Sequence, residues 1–437
     1  MTHPLDLPLS DLVHRLRDRT ISASELAEEA LRRHREHDPP LGAYKRLEPE
    51  EVRADARRAD GMLAGAGTPP PFCGLPVSVK DLYGMEGLPT FAGLRAQGAV
   101  FTGKTHTVEL AFGGVGINPH WGTPRNPRDS VVHRIPGGSS AGAGVSLVEG
   151  SAVVALGTDT GGSIRIPASM TGTVGHKTTA GRWPTEGVVP LSTTFDTVGA
   201  LTRGVADSAW FFAAVDPEVG DPEAFLGELE RRRDEPVRVA VPRCDIWDAC
   251  QPELASVLHG ALDALVAGGW TRMESDGALL DRAERLYMTG GIAAAECAAF
   301  LRTELPGWLD LLHPTVGERL RGAPSLESER YREAARAQEA MARAAGELFR
   351  DADVLALPGH LLTPPPVEEL EELDRYLEVN AATLRPTCPA GTLGLCALSL
   401  PVGTDDAGMP VGLQLVAPGG RDEELLGIAL AAERILA

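Results

Sequence analysis

The 437-residue chain reads as an α/β protein, one large α/β/α sandwich built around a mixed sheet. Two observations carry that reading. Short apolar runs bounded by turn residues alternate along the whole chain with segments patterned at helical spacing, and no internal repeat or low-complexity tract interrupts them. A composition that is 43% hydrophobic and 23% charged supplies enough apolar surface for a substantial core.

The chain opens with three amphipathic helices. Residues 9–17 form the first, and the second opens at Ser22, where Ser22 and Glu25 make an S-x-x-E capping box ahead of Leu26, Ala30 and Leu31. Residues 49–63 form the third, with Val52, Ala56 and Ala59 at helical spacing. A proline-rich turn at residues 68–71 gives way to an apolar strand, residues 75–79, that ends at Lys80. Residues 98–105, GAVFTGKT, match the phosphate-loop pattern GxxxxGK[ST]. A phosphate loop needs a strand before its first glycine and uses the intervening residues as the cradle. Here Ala99 to Thr102 are themselves the apolar strand and residues 94–97 are helical in pattern, so the match predicts no nucleotide site.

An apolar run at residues 152–156 follows, then further apolar segments at 188–191 and 196–203 and a helix at 205–214. The acidic, proline-bearing interval 216–235 reads as a surface linker, and residues 237–241 as a buried strand. Helical patterns occupy residues 252–267, 280–302 and 327–350, the last with Glu/Arg pairs suited to a solvated face. Residues 354–358, 397–401 and 411–416 are strand-like, and residues 421–436 close the chain as a helix.

Charge and composition narrow the function. With 41 Lys+Arg against 61 Asp+Glu the formal charge is −20, which argues against nucleic acid or an anionic membrane surface as a partner. The first residues lack the basic and apolar regions of a secretory signal, and no apolar run reaches membrane-spanning length. The six cysteines are scattered without a CxxC pair, as expected for reduced, buried thiols of a cytoplasmic protein. The eleven histidines show no ligand spacing, so neither a metal nor another cofactor is expected.

The chemistry is concentrated in residues 135–177, which hold two small-residue loops, 137–142 (GGSSAG) and 157–163 (GTDTGGS). A serine hydroxyl needs a base beside it to act as a nucleophile, and lysine is an alternative to histidine in that role. Lysine serves only when neutral, a state that burial favours. Lys80, Ser139 and Ser163 are the candidates for such a group. Lys80 follows an apolar strand, although Asp81 beside it would favour the charged form. The backbone N–H groups of Thr160, Gly161, Gly162 and Ser163, with small side chains around them, suit an oxyanion hole.

At these residues the chain resembles the amidase signature family. The family's GGSSxG and GTDTGGSIRxPA are present at residues 137–142 and 157–168, and the spacing of Ser139 and Ser163 also fits. The likeness extends to PVSVKD (76–81), GKT (103–105), DTVGALTR (196–203) and a carboxyl-terminal LPVG…GMPVGLQLV ahead of the last helix, and so covers nearly the whole chain. It implies a single domain over 1–437 with a large mixed, mostly parallel, twisted sheet covered by helices on both faces. Within it, residues 1–65 would be a helical wrap, 70–205 the catalytic core, 250–350 a mainly helical region around the substrate pocket, and 351–437 the return to the sheet. It implies further that Ser163 attacks a carbonyl and that Ser139, held by a cis peptide, relays the proton. Lys80 would accept that proton and return it to the leaving amine, and the four N–H groups named above would bind the oxyanion. An acyl-enzyme forms and water releases it.

Other polar residues of the stretch take structural readings. Ser140 competes for the relay, but the spacing favours Ser139. Asp159 and Arg165 read as loop stabilisers, and His133 and His176 have no place in the family's chemistry. Two departures stand out. The segment after residues 87–90 (GLPT) is shorter than usual, which predicts a more open pocket, and residues 175–178 read GHKT where GLKP is common, which predicts altered packing. The expected function is hydrolysis of a small-molecule carboxamide, with carbamates and esters accessible to the same chemistry. The alternative is the A subunit of a tRNA-dependent amidotransferase or another amidase that needs a partner. The resemblance is compatible with a homodimer.

Overall fold

The computed structural model describes residues 3–37, 40–84, 89–232 and 234–437. Eleven strands make one sheet among these residues: β1 (Tyr44–Arg46), β2 (Pro76–Lys80), β3 (Val100–Thr105), β4 (Val154–Asp159), β5 (Val174–Lys177), β6 (Thr197–Thr202), β7 (Arg238–Arg243), β8 (Thr271–Asp276), β9 (Val354–Pro358), β10 (Cys396–Thr404) and β11 (Pro410–Ala417). Their spatial order is β1-β3-β2-β4-β6-β5-β10-β11-β9-β7-β8. The sheet is mixed, as expected. Parallel pairing is concentrated in two wings, β3-β2-β4 and β9-β7-β8, while the strands between the wings pair antiparallel and β1 adds an antiparallel edge. The connections account for this arrangement. Helices Pro89–Ala96 and Ala141–Glu149 lie in the connections of the first wing, as parallel crossovers require, whereas β10 and β11 are joined by a short turn that forces them antiparallel.

Helices cover both faces. All five residues of β9 and all eight of β11 are buried, the continuous apolar pattern of strands packed on two sides. The main core runs across the sheet and takes in Phe72, Trp210 and Phe212, with the Phe72 and Trp210 rings edge to face at 5.6 Å.

The three leading helices form where the pattern places them, at Leu9–Arg17, Ala23–Glu36 and Pro49–Leu63. The capping box is complete: the Glu25 N–H donates to Ser22 Oγ (3.1 Å) and the Ser22 N–H to Glu25 Oε2 (2.8 Å). Residues 100–105 of the phosphate-loop lookalike are strand β3, and Lys104 donates to the Tyr83 carbonyl.

Several segments differ from the sequence reading. The interval 216–235 is not a linker, because it holds helix Pro222–Arg231, capped by Asp221 and buried through Phe225 and Leu229. An Asp-Pro start followed by apolar residues at helical spacing outweighs its acidic composition. The pattern at 280–302 divides at Gly291, whose φ of +77° ends helix Ala278–Gly290 and begins Ile292–Glu304. The pattern at 327–350 is helix Glu329–Ala344 followed by a 3₁₀ segment to Phe349. Strand β8 escapes sequence reading because it is a polar edge strand, paired with β7 alone.

Of the shortened segment, Gly87 and Leu88 lie outside the described residues. Helix Pro89–Ala96 follows, with Arg95 reaching Asp55 of the third helix at 3.4 Å. In GHKT, Lys177 is buried and its Nζ donates to the Thr178 and Leu395 carbonyls, while His176 Nε2 lies 3.4 Å from Asp422 Oδ1. All six cysteines are buried and free. No helix among the described residues is long and apolar enough to cross a membrane.

Gly142 opens helix Ala141–Glu149, and a Cβ there would collide with the Ala43 carbonyl oxygen. Gly142→Ala therefore lowers stability by about 1–3 kcal/mol in urea unfolding. Gly61→Ala is the control: it sits inside helix Pro49–Leu63 with nothing within 4 Å of an added Cβ, and it gains up to about 1 kcal/mol.

Candidate active site

Strand β2 runs parallel to β3 on one side and β4 on the other, and side chains at the carboxyl ends of such strands converge on a crevice. Lys80 is the last residue of β2 and is fully buried. Its Nζ lies 2.7 Å from Ser139 Oγ and 2.8 Å from Thr158 Oγ1 of β4, both uncharged. Burial pulls its pKa down to about 7, and the carboxylates of Asp196 and Asp159 oppose this only in part. Asp81 does not hold the lysine in its charged form, because it pairs with Lys45 at 2.6 Å.

The first small-residue loop delivers Ser139. The Gly138–Ser139 peptide bond is cis, as the resemblance implies. The Gly138 N–H donates to the Gly114 carbonyl (2.7 Å), and the Ser139 carbonyl accepts from the Val108 N–H (3.2 Å). Ser140 points elsewhere, its hydroxyl directed to the Thr158 carbonyl at 3.4 Å. The Ser140 N–H donates to the Ser163 carbonyl (3.2 Å), which ties the two loops together.

The second loop turns around Asp159. That carboxylate accepts the N–H groups of Gly162 (2.8 Å) and Ile164 (3.1 Å) and the guanidinium of Arg165, at 3.0 Å from Nε and 2.8 Å from Nη2. Burial works against its charge, but Arg165, Lys177 and the Ile164 N–H hold its carboxyl below the usual range. Asp159 and Arg165 thus stabilise the loop, as their sequence reading has it. The arrangement corrects one expectation: the Gly162 N–H is committed to Asp159 and is not free for an oxyanion. Gly162 has φ +130°, and the turn there directs its N–H back to the end of β4. By contrast, no acceptor within the protein faces the N–H groups of Thr160, Gly161 and Ser163 among the described residues. Unpaired N–H groups at buried residues are rare in folded proteins.

Ser163, 2% exposed, opens on a cavity of about 430 Å³. Phe112, Leu191, Ala293 and Leu377 give it apolar walls, and Tyr287, Arg319 and Asn380 bring polar groups. The Tyr287 hydroxyl lies against the loop, where a Cβ on Gly161 would strike it, and burial pushes its phenol well above the usual value, so it stays protonated. Neither expected bystander histidine enters the site: His133 offers its carbonyl to the Val367 N–H, and His176 faces Asp422.

The chain that carries this site has relatives among known proteins. A model of the amidase family matches residues 25–426. The chain belongs to the amidase family. It is 42% identical to a 2-amino-5-chloromuconic acid deaminase of Comamonas testosteroni over 98% of this chain and 96% of that protein. It is 31% identical to an indoleacetamide hydrolase of Pseudomonas savastanoi, over 98% and 97%. A crystal structure of an amidase superposes with a TM-score of 0.85 at 30% identity, covering 99% of this chain and 100% of that one. The protein is a hydrolase of C–N bonds other than peptide bonds.

Some of this amidase's site is absent from the motifs. Thr158 lies within the second signature loop, but only the pairing of β2 with β4 brings it to Lys80. Tyr287, Arg319 and Asn380 come from three helices, Ala278–Gly290, Pro314–Arg321 and Leu373–Leu384, without local sequence signals for a site. Residues 287–294 and 318–330 line the cavity together with residues 111–113 and 377–384, which lie outside the 250–350 region.

The buried network around Asp159 generates a stability prediction. Asp159→Ala strands the Arg165 charge and costs about 3–5 kcal/mol in urea unfolding. The double variant Asp159→Ala/Arg165→Ala costs less than the sum of the two single changes, as groups in one network require.

Proposed function

We propose that this amidase hydrolyses a small primary carboxamide through an acyl-enzyme carried on Ser163, with Ser139 as proton relay and Lys80 as base. The observation that carries the reading is the buried Lys80 amine, 2.7 Å from Ser139 Oγ with no carboxylate bonded to it and a pKa near 7. About half of such a population is neutral at pH 7, ready to accept a proton. The neutral amine takes the Ser139 hydroxyl proton as Ser139 takes that of Ser163, and Ser163 Oγ forms its bond to the amide carbon. The oxyanion is met by the N–H groups of Thr160, Gly161 and Ser163. The lysine ammonium returns the proton through Ser139 to the amide nitrogen, the C–N bond breaks and ammonia leaves. Water, activated by the same relay, releases the carboxylic acid. Carbamates and esters fit the same sequence of steps. The names of the two relatives, a deaminase and an acetamide hydrolase, support ammonia as the leaving group. Six free, buried cysteines support a cytoplasmic enzyme.

Lys80→Ala keeps the fold and loses at least about 10⁴-fold in kcat. In the native enzyme kcat/KM rises with pH, roughly tenfold per unit below about 7, and levels off above it, because protonation removes the base. A fluorophosphonate labels Ser163 in the native protein, read by peptide mass, and Ser163→Ala abolishes both labelling and turnover. A folded Lys80→Ala enzyme that kept most of its activity would refute the assignment.

A further inference from the structure

The cavity that Ser163 opens on contains a largely buried cation, Arg319, that no carboxylate of the described residues pairs with. Arg319 lies on helix Pro314–Arg321 with its guanidinium 4.1 Å from the centroid of the Phe112 ring. Its Nε donates to the Thr315 carbonyl at 2.9 Å and one Nη2 N–H to the Phe112 carbonyl. Those two bonds and the ring fix the plane of the guanidinium. They leave both N–H groups of Nη1 and the second of Nη2 without a protein acceptor among the described residues, and no carboxylate pairs with Arg319 there.

Nearby carboxylates are engaged elsewhere. Glu109 takes the His313 N–H (3.2 Å) and faces His120 (2.8 Å), and Glu284 pairs with Arg385 (2.8 Å). Glu318 and Arg330 also line the cavity but are exposed to solvent, where their charges are screened. Arg165, the other guanidinium close to the site, is neutralised by Asp159. Burial disfavours the charge of Arg319, and in a chain of net charge −20 a partly buried cation without a carboxylate is costly to keep. A planar edge of free N–H donors is the complement of a carboxylate, which it binds in bidentate fashion. Neutral groups surround it. Asn380 Oδ1 accepts the Gly114 N–H (2.8 Å), which leaves the Nδ2 donors of that side chain for the cavity, and Tyr287 presents its hydroxyl.

We propose that Arg319 binds a substrate carboxylate and that the substrate class of this enzyme is amides whose acyl portion ends in a carboxylate. The placement on the acyl side rests on the amidase reading above, in which ammonia is the leaving group and the carboxylate must belong to the part that stays on Ser163.

The test compares succinamic, glutaramic and adipamic acids with butyramide, pentanamide and hexanamide, the neutral amides of equal chain length. The native enzyme prefers the best acid over its neutral counterpart by at least about 100-fold in kcat/KM. Arg319→Gln loses that preference through KM, while Arg319→Lys, which keeps the charge without the fork, falls between. Thermal melting checks that the variants fold, and should Arg319→Gln fail to fold, the native substrate series and Arg319→Lys still decide. Binding of the product diacids by titration calorimetry gives a readout independent of turnover: the native protein binds one of them and Arg319→Gln does not. A native enzyme that hydrolyses the neutral amides equally well, or an Arg319→Gln variant that loses both series alike, overturns the proposal while leaving the amidase mechanism standing. Calorimetric binding through Arg319 without turnover or Ser163 labelling would instead overturn the mechanism and uphold the carboxylate site.

Discussion

The site depends on one desolvated amine. Lys80 sits at the end of a strand flanked by two parallel partners, and it touches two hydroxyl groups and no carboxylate. In water the amine would be protonated at neutral pH and unable to accept a proton. The sheet removes it from water, and the nearest carboxylates are turned to other tasks: Asp81 to Lys45, Asp159 to Arg165, and Asp196 to the Thr160 hydroxyl and the Leu191 N–H. A carboxylate bonded directly to Lys80 would stabilise its charged form and cancel the effect of burial.

The same division of labour governs the glycine loop. Asp159 could have been a drain on stability as a buried charge, but it holds Arg165 and collects three backbone N–H groups. In doing so it fixes the turn from the end of β4 to Ser163. The N–H groups of Thr160, Gly161 and Ser163 are left without a protein acceptor among the described residues, and in the proposed mechanism these are the donors that meet the oxyanion. Under the proposed mechanism, rigid support beneath such donors would stabilise charge as it forms, without reorganisation at the moment of reaction.

Much of this was legible in the residues. The capping box at Ser22 and Glu25, the helices at 9–17 and 49–63 and the apolar strands β9 and β11 follow from local periodicity, because their side chains decide their environment within a few residues. Segments whose identity depends on a neighbour were not legible: β8 is a strand only because β7 offers it a ladder, and helix Pro222–Arg231 was masked by acidic composition. In the site, Ser139, Ser163 and Lys80 stand in motifs, whereas Thr158 becomes a partner of Lys80 only through strand register. The Gly162 N–H illustrates the reverse error, since the composition of the loop counts a donor that its conformation has already used.

By itself, then, the sequence singled out the candidate side chains, the α/β class and the family, since these reside in local patterns of residue type and spacing. Tertiary structure alone decided the protonation balance of Lys80, which loop N–H groups stay free, and the union of Tyr287, Arg319 and Asn380 around one cavity. The physical reason is range. Motifs record contacts a few residues apart, whereas desolvation and charge compensation are sums over everything that packs around a group, and those neighbours arrive from distant parts of the chain.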